Sequence, residues 1–105
     1  MLSTAEIKSL IASGEGYNVE FKRNIPNKVK EVTEEICAFA NAAGGTILLG
    51  VDDNNVIQGI TFNNAKHSAL QNSINEITPA IHCEIYSLEV DGKELVVIEV
   101  PSGES

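Results

Sequence analysis

Residues 15–59 read EGYNVEFKRNIPNKVKEVTEEICAFANAAGGTILLGVDDNNVIQG, and the fold of the chain turns on them. Val19 and Phe21 alternate with Asn18, Glu20 and Lys22, the period of a strand with one buried face, so Glu20 and Lys22 share the side away from the core. Ile25-Pro26-Asn27 breaks that strand. From Lys28 to about Ala43, Val29, Val32, Ile36, Phe39 and Ala40 recur at helical spacing, with Glu31, Glu34 and Glu35 facing outward. Gly44-Gly45 stops the helix, because glycine takes the left-handed conformation without steric cost. Thr46 to Val51 is apolar on both faces, which predicts a central strand covered on both sides. Asp52 to Asn55 then turns the chain, and Val56 to Ile60 is expected to return beside it.

The flanks extend this pattern. Ser3-Thr4-Ala5-Glu6 supplies a hydroxyl N-cap and an early acid for a short helix, with Ile7, Leu10 and Ile11 as its apolar stripe and Ser13-Gly14 as its end. Asn63 or Asn64 caps a third helix, with Ala65, Ala69, Leu70, Ile74 and Ile77 inward and His67 on the polar side. Ile81 to Val90 reads as a longer strand, Asp91-Gly92 as a type I′ hairpin turn, and Glu94 to Val100 as the strand that pairs back. The resulting class is α+β: three helices packed on a mixed, largely antiparallel sheet of about five strands, in a single domain over residues 1–105. Val100-Pro101-Ser102-Gly103-Glu104-Ser105 follows the last strand abruptly, which suggests a domain cut from a longer polypeptide.

Composition narrows the function. A formal charge of −8 argues against strong autonomous binding to nucleic acid, which usually needs a basic surface to displace counterions. Yet four of the seven basic residues, Lys22, Arg23, Lys28 and Lys30, fall within nine positions and mark a local positive edge. No apolar run approaches the ~20 residues that span a bilayer, and the N-terminus lacks a signal-peptide pattern. Cys37 and Cys83 lack metal-site spacing and read as reduced thiols of a cytoplasmic protein.

Several motifs carry two readings each. Glu20, mid-strand beside Lys22, suits a general base or metal ligand, though spacing alone favours a solvent-facing surface pair. Glu15 sits between glycines that let the backbone approach a ligand or simply make a turn. Asp52 and Asp53 suit metal binding or plain loop duty, in which the side chains accept local backbone hydrogen bonds. Asp52-Asp53-Asn54-Asn55 lacks the 12-residue calcium loop. Gly44-Gly45 follows a helix, the wrong order for a phosphate loop, and no G-x-x-x-x-G-K-[ST] occurs, so the chain is not an ATPase by itself. His67 and His82 lack companion ligands.

E-G-Y-N-V-E-F-K-R (15–23), A-F-A-N-A-A-G-G-T-I-L-L-G-V-D-D (38–53) and V-I-Q-G (56–59) together resemble the Schlafen AlbA-type domain. The agreement is close over Glu15 to Gly59 and weaker beyond. The resemblance implies a DNA-binding domain that opens a longer bacterial protein of transcriptional-regulator type, with further domains downstream. It also implies, from eukaryotic members of the family, a three-carboxylate, metal-dependent ribonuclease site. Carried over by motif, that site comprises Glu15, Glu20 and Asp53 around Mg²⁺ or Mn²⁺, with Lys22 adjacent. This chain departs from the nucleases at Gly16, where serine is common, in a shorter connection from Glu20 to the helix, and in its acidic balance.

Three functions follow as expectations. The first is a nucleic-acid-binding module that contacts phosphates through Lys22, Arg23, Lys28 and Lys30, weakly on its own. The second is an endoribonuclease using Glu15, Glu20 and Asp53, assisted by Lys22. The third is an interaction or homo-oligomerisation module that pairs through its acidic surface and an exposed final strand.

Overall fold

The computed structural model describes residues 1–61 and 63–102; Phe62 and residues 103–105, which include most of the tail expected after the last strand, lie outside the described residues. The elements run α1 (Thr4–Ser13), β1 (Val19–Lys22), α2 (Lys30–Asn41), β2 (Gly45–Leu49), α3 (Asn64–Asn75), β3 (Glu84–Val90) and β4 (Lys93–Val100). The class is α+β as expected, on a mixed sheet of four strands in the order β1-β2-β4-β3. β1 and β2 are parallel, so the crossover helix α2 joins them, while β4 pairs antiparallel with both β2 and β3.

The sheet is covered on both faces, making three layers. Ile47 and Leu49 of β2 and Val96, Ile98 and Val100 of β4 pack with Val32, Ile36 and Phe39 of α2 and Leu70 and Ile74 of α3. The opposite face joins Val19 and Phe21 of β1, Leu48, Leu95 and Val97 to Ile7 and Ile11 of α1. The expectation of a central strand covered on both sides therefore holds over Gly45–Leu49: Ile47, Leu48 and Leu49 are fully buried in this inner strand, and Val51, just beyond its end, is fully buried too.

Local chemistry sets the element ends. Ser3 caps α1 in a reciprocal box with Glu6. Asn63 caps α3 by accepting from the Lys66 amide at 3.0 Å. Asp91 and Gly92 both take positive φ, as a type I′ turn requires. Gly44, at φ 85°, donates to the Phe39 carbonyl and brings the chain so close to β4 that an added Cβ would stand 2.6 Å from the Val100 carbonyl oxygen.

Four expectations need correction. Val56–Ile60 forms no fifth strand: Val51 and Ile57 make one isolated bridge, and the Gln58 and Gly59 amides both bond to the Gly50 carbonyl, which bends the segment away from a ladder. The final strand is not an exposed edge, because β3 and β2 flank β4. Ala65 and Ala69 are exposed, whereas His67, half-buried, shares a cavity wall with Leu70, Ile85 and Val96. The helix is rotated so that the larger Leu70 and Ile74 meet the core, where each buries more apolar area than an alanine. β3, expected from Ile81, begins at Glu84, since Ile81 and Cys83 pack on the core before the ladder starts.

Candidate nucleic-acid interface and carboxylate pair

Two kinds of site residue gather around β1. Its buried residues, Val19 and Phe21, face α1, so the intervening Glu20 and Lys22 project toward the α2 layer. That side is the rim of a covered face, not open solvent, and Glu20 and Lys22 are accordingly half-buried. Glu35, on the flank of the apolar stripe of α2, adds its charge there.

Glu15 lies on the turn before β1. Its Oε2 accepts the Phe21 amide at 2.9 Å, occupying a donor on the unpaired edge of the strand. Glu15 and Glu20 thereby form a like-charge pair. Partial burial pushes the Glu20 carboxyl up to about 7, and hydrogen bonding to Glu15 and the charges of Glu15 and Glu35 add to the rise, against Lys22.

The two aspartates part company. Asp52 organises its loop: Oδ1 accepts the Asn54 amide at 2.8 Å and the Val56 amide at 3.0 Å, and Oδ2 accepts from Gln58 at 2.8 Å. The Gln58 bond and these amides, with the charge of Arg23, hold the Asp52 carboxyl below its ordinary range. Asp53 is exposed beside it on the 52–55 loop. Among the described residues, no group of three or more His, Cys, Asp or Glu side chains is arranged to hold a metal ion. The structure thus brings Glu15 and Glu20 together and adds Glu35, a residue the sequence pattern placed outward.

The basic residues collect where β1 ends and α2 begins. The Gly50 and Val51 amides bond to the Lys22 carbonyl at 2.7 and 3.3 Å, which fixes the end of β2 against Lys22. Arg23, Lys28 and Lys30 are exposed. Val29, at the start of α2, has no side-chain cap, so the positive end of the helix adds to the cations. Lys30 pairs at 3.8 Å with Glu34 one turn on, an exposed contact worth little. Lys22, Arg23 and Lys28 enter no ion pair among the described residues. The cluster sits at the carboxyl ends of the two parallel strands, the usual ligand side of such a unit.

Elsewhere the cysteines stay free, with burial first and then Cys37 pushing the Cys83 thiol up to about 11. No described helix is long and apolar enough to cross a membrane.

A family model described as Schlafen, AlbA_2 matches residues 15–105. Among solved structures, the chain is similar to the N-terminal domain of an ATP-dependent DNA helicase RecG-related protein from Nitrosomonas europaea. The TM-score is 0.68 at 24% identity, over 97% of this chain and 74% of that one. It is also similar to the DIP2311 protein from Corynebacterium diphtheriae, with a TM-score of 0.61 at 18% identity, over 93% of this chain and 24% of that one. These likenesses concern the fold.

Proposed function

The chain belongs to the Schlafen AlbA_2 family, and we propose that it serves as a nucleic-acid-binding module, with DNA as the ligand, in a bacterial protein of transcriptional-regulator type. One observation carries the reading: in a chain of net charge −8, Lys22 and Arg23 where β1 ends and Lys28 just before α2 enter no ion pair among the described residues. In so acidic a chain, cations near one end of the sheet that are held in no ion pair suit an anionic partner. The likeness to a domain of a RecG-related protein supports DNA as that partner. Further domains or a second protomer would add affinity, since four cations allow only a few phosphate contacts.

The test is a fluorescence-anisotropy titration onto labelled duplex across a salt series. Four phosphate contacts give a slope of log K against log salt of about −3.6, at about −0.9 per contact. Changing Lys22 and Arg23 to Glu should weaken binding on every sequence and flatten the slope by about 2. Binding that ignores salt would overturn the reading.

A second reading, a metal-dependent endoribonuclease, draws on the Glu15–Glu20 pair, whose crowded negative charge suits a cation. Among the described residues, Glu15 and Glu20 are not joined by Asp53 in a group arranged to hold a metal ion. Calorimetric titration with Mn²⁺ checks this reading: binding lost in Glu20→Gln supports it, and no heat of binding removes it.

A further inference from the structure

Tyr17 is 85% exposed. Phe21 and Phe39 are buried, and Tyr86 is half-buried with its hydroxyl bonded to Glu99, so Tyr17 is the described aromatic residue that the core does not use. A single exposed aromatic is ordinary on a protein surface. The place of this one is what carries meaning.

Tyr17 stands on a turn closed by two backbone hydrogen bonds, Gly16 amide to Val19 carbonyl at 3.1 Å and Val19 amide to Gly16 carbonyl at 3.4 Å. The backbone beneath the ring is thus held in place, which lowers the entropy lost when a ligand stacks on it. The turn opens β1, an edge strand whose far end delivers Lys22 and Arg23. Tyr17 and Lys22 are five positions apart, a reach of at most about 17 Å. One edge strand therefore offers an exposed aromatic ring at one end and, at the other, two cations that enter no ion pair among the described residues. Aromatic platforms and phosphate-binding cations along one path are what single-strand binders combine, with sites from about 4 nucleotides upward.

We infer that the β1 edge binds single-stranded nucleic acid, an unpaired base stacking on Tyr17 and the following phosphates meeting Lys22 and Arg23. The inference rests on the phosphate-binding role proposed for those cations and adds a preference for unpaired strands. A duplex keeps its base faces stacked within the helix and cannot offer one to Tyr17, whereas its phosphates still reach the cations. Glu15 and Glu20 lie between the two ends and repel any phosphate set directly over them. The strand is accordingly held at its ends, by a base at Tyr17 and by phosphates at Lys22 and Arg23.

Anisotropy titrations of the full chain onto 12-nucleotide single-stranded DNA, the same sequence as RNA, and the corresponding duplex test this directly. Tyr17→Ala should weaken binding to single strands by about 5- to 150-fold, the range for loss of one base–aromatic stack. It should leave duplex binding and the salt slope unchanged, and Tyr17→Phe should retain the affinity. Lys22→Glu with Arg23→Glu should weaken all three probes. Equal losses on single strand and duplex with Tyr17→Ala, or no loss on either, overturn the stacking site and leave the phosphate role standing. Failure of the wild-type chain to bind any probe overturns both. Self-association in sedimentation that Tyr17→Ala abolishes, with single-strand affinity unchanged, assigns the ring to a protein contact and likewise overturns the inference.

Discussion

Replacing Glu20 by Gln should remove a pH dependence of stability that the chain carries between about pH 4.5 and 7. The Glu20 carboxyl titrates at about 7 in the fold, against an ordinary 4.5. The folded state therefore holds this proton more tightly than the unfolded chain does. The stability so contributed is fully present below pH 4.5 and is lost as pH rises through 7. For a fully buried group, a shift of that size at ~1.36 kcal/mol per pH unit would be worth about 3.4 kcal/mol. Glu20 is only partly buried, and screening by solvent brings the expected effect to about 1 kcal/mol. In a domain of this size that moves the melting temperature by about 4–8 °C. Thermal unfolding followed by circular dichroism at pH 4 and pH 8 measures it. Glu20→Gln, which resembles the protonated side chain, should match wild type at pH 4 and exceed it by that margin at pH 8. Lys22→Ala should raise the Glu20 carboxyl further, because the Lys22 ammonium holds it down. If wild type and Glu20→Gln differ equally at both pH values, Glu20 is ionised throughout and the pairing with Glu15 is refuted.

Two stability predictions follow from the scaffold. Gly44→Ala places a Cβ against the Val100 carbonyl oxygen and forces alanine into positive φ. Strain of about 1–2 kcal/mol and overpacking of about 1–3 kcal/mol add to a loss of about 2–5 kcal/mol. Gly16→Ala meets nothing within 4 Å at ordinary φ and should cost nothing; urea midpoints that coincide for the two variants would contradict the close approach. Tyr86→Phe removes a hydroxyl that donates to Glu99 at 2.6 Å and accepts the Leu2 amide at 2.8 Å. The bond to a carboxylate makes the expected loss about 1.5–3 kcal/mol in urea unfolding, and an unchanged midpoint would show that the bond adds nothing.

The α+β class, the three helices and the strand–helix–strand order of β1, α2 and β2 were legible because each rests on a local signal; that β1 and β2 run parallel came from the structure. Val19-Glu20-Phe21 has a period of two, Val32, Ile36 and Phe39 keep helical spacing, and glycines mark both turns. The Val56–Ile60 segment was misleading because its apolar residues suit a strand, while a ladder depends on a neighbour with free hydrogen-bonding groups. Here both Gln58 and Gly59 spend their amides on Gly50. The rotation of α3 was hidden for a similar reason: alanines fit either face, and only the partner layer decides which is buried.

The candidate site divides in the same way. Sequence alone determined that Lys22, Arg23, Lys28 and Lys30 would lie close together, since they are neighbours along the chain. It also fixed that Glu20 and Lys22 share one side of β1, because side chains on a strand alternate. Which side that is was a tertiary decision. With α1 covering Val19 and Phe21, Glu20 turns toward α2, meets Glu35 and Glu15, and is driven toward neutrality by desolvation and like charge. Asp53 stays exposed on the loop that Asp52 holds together, and among the described residues it joins no group arranged to hold a metal ion. Electrostatics of this kind depend on through-space distance and water exclusion, and neither is written in residue order.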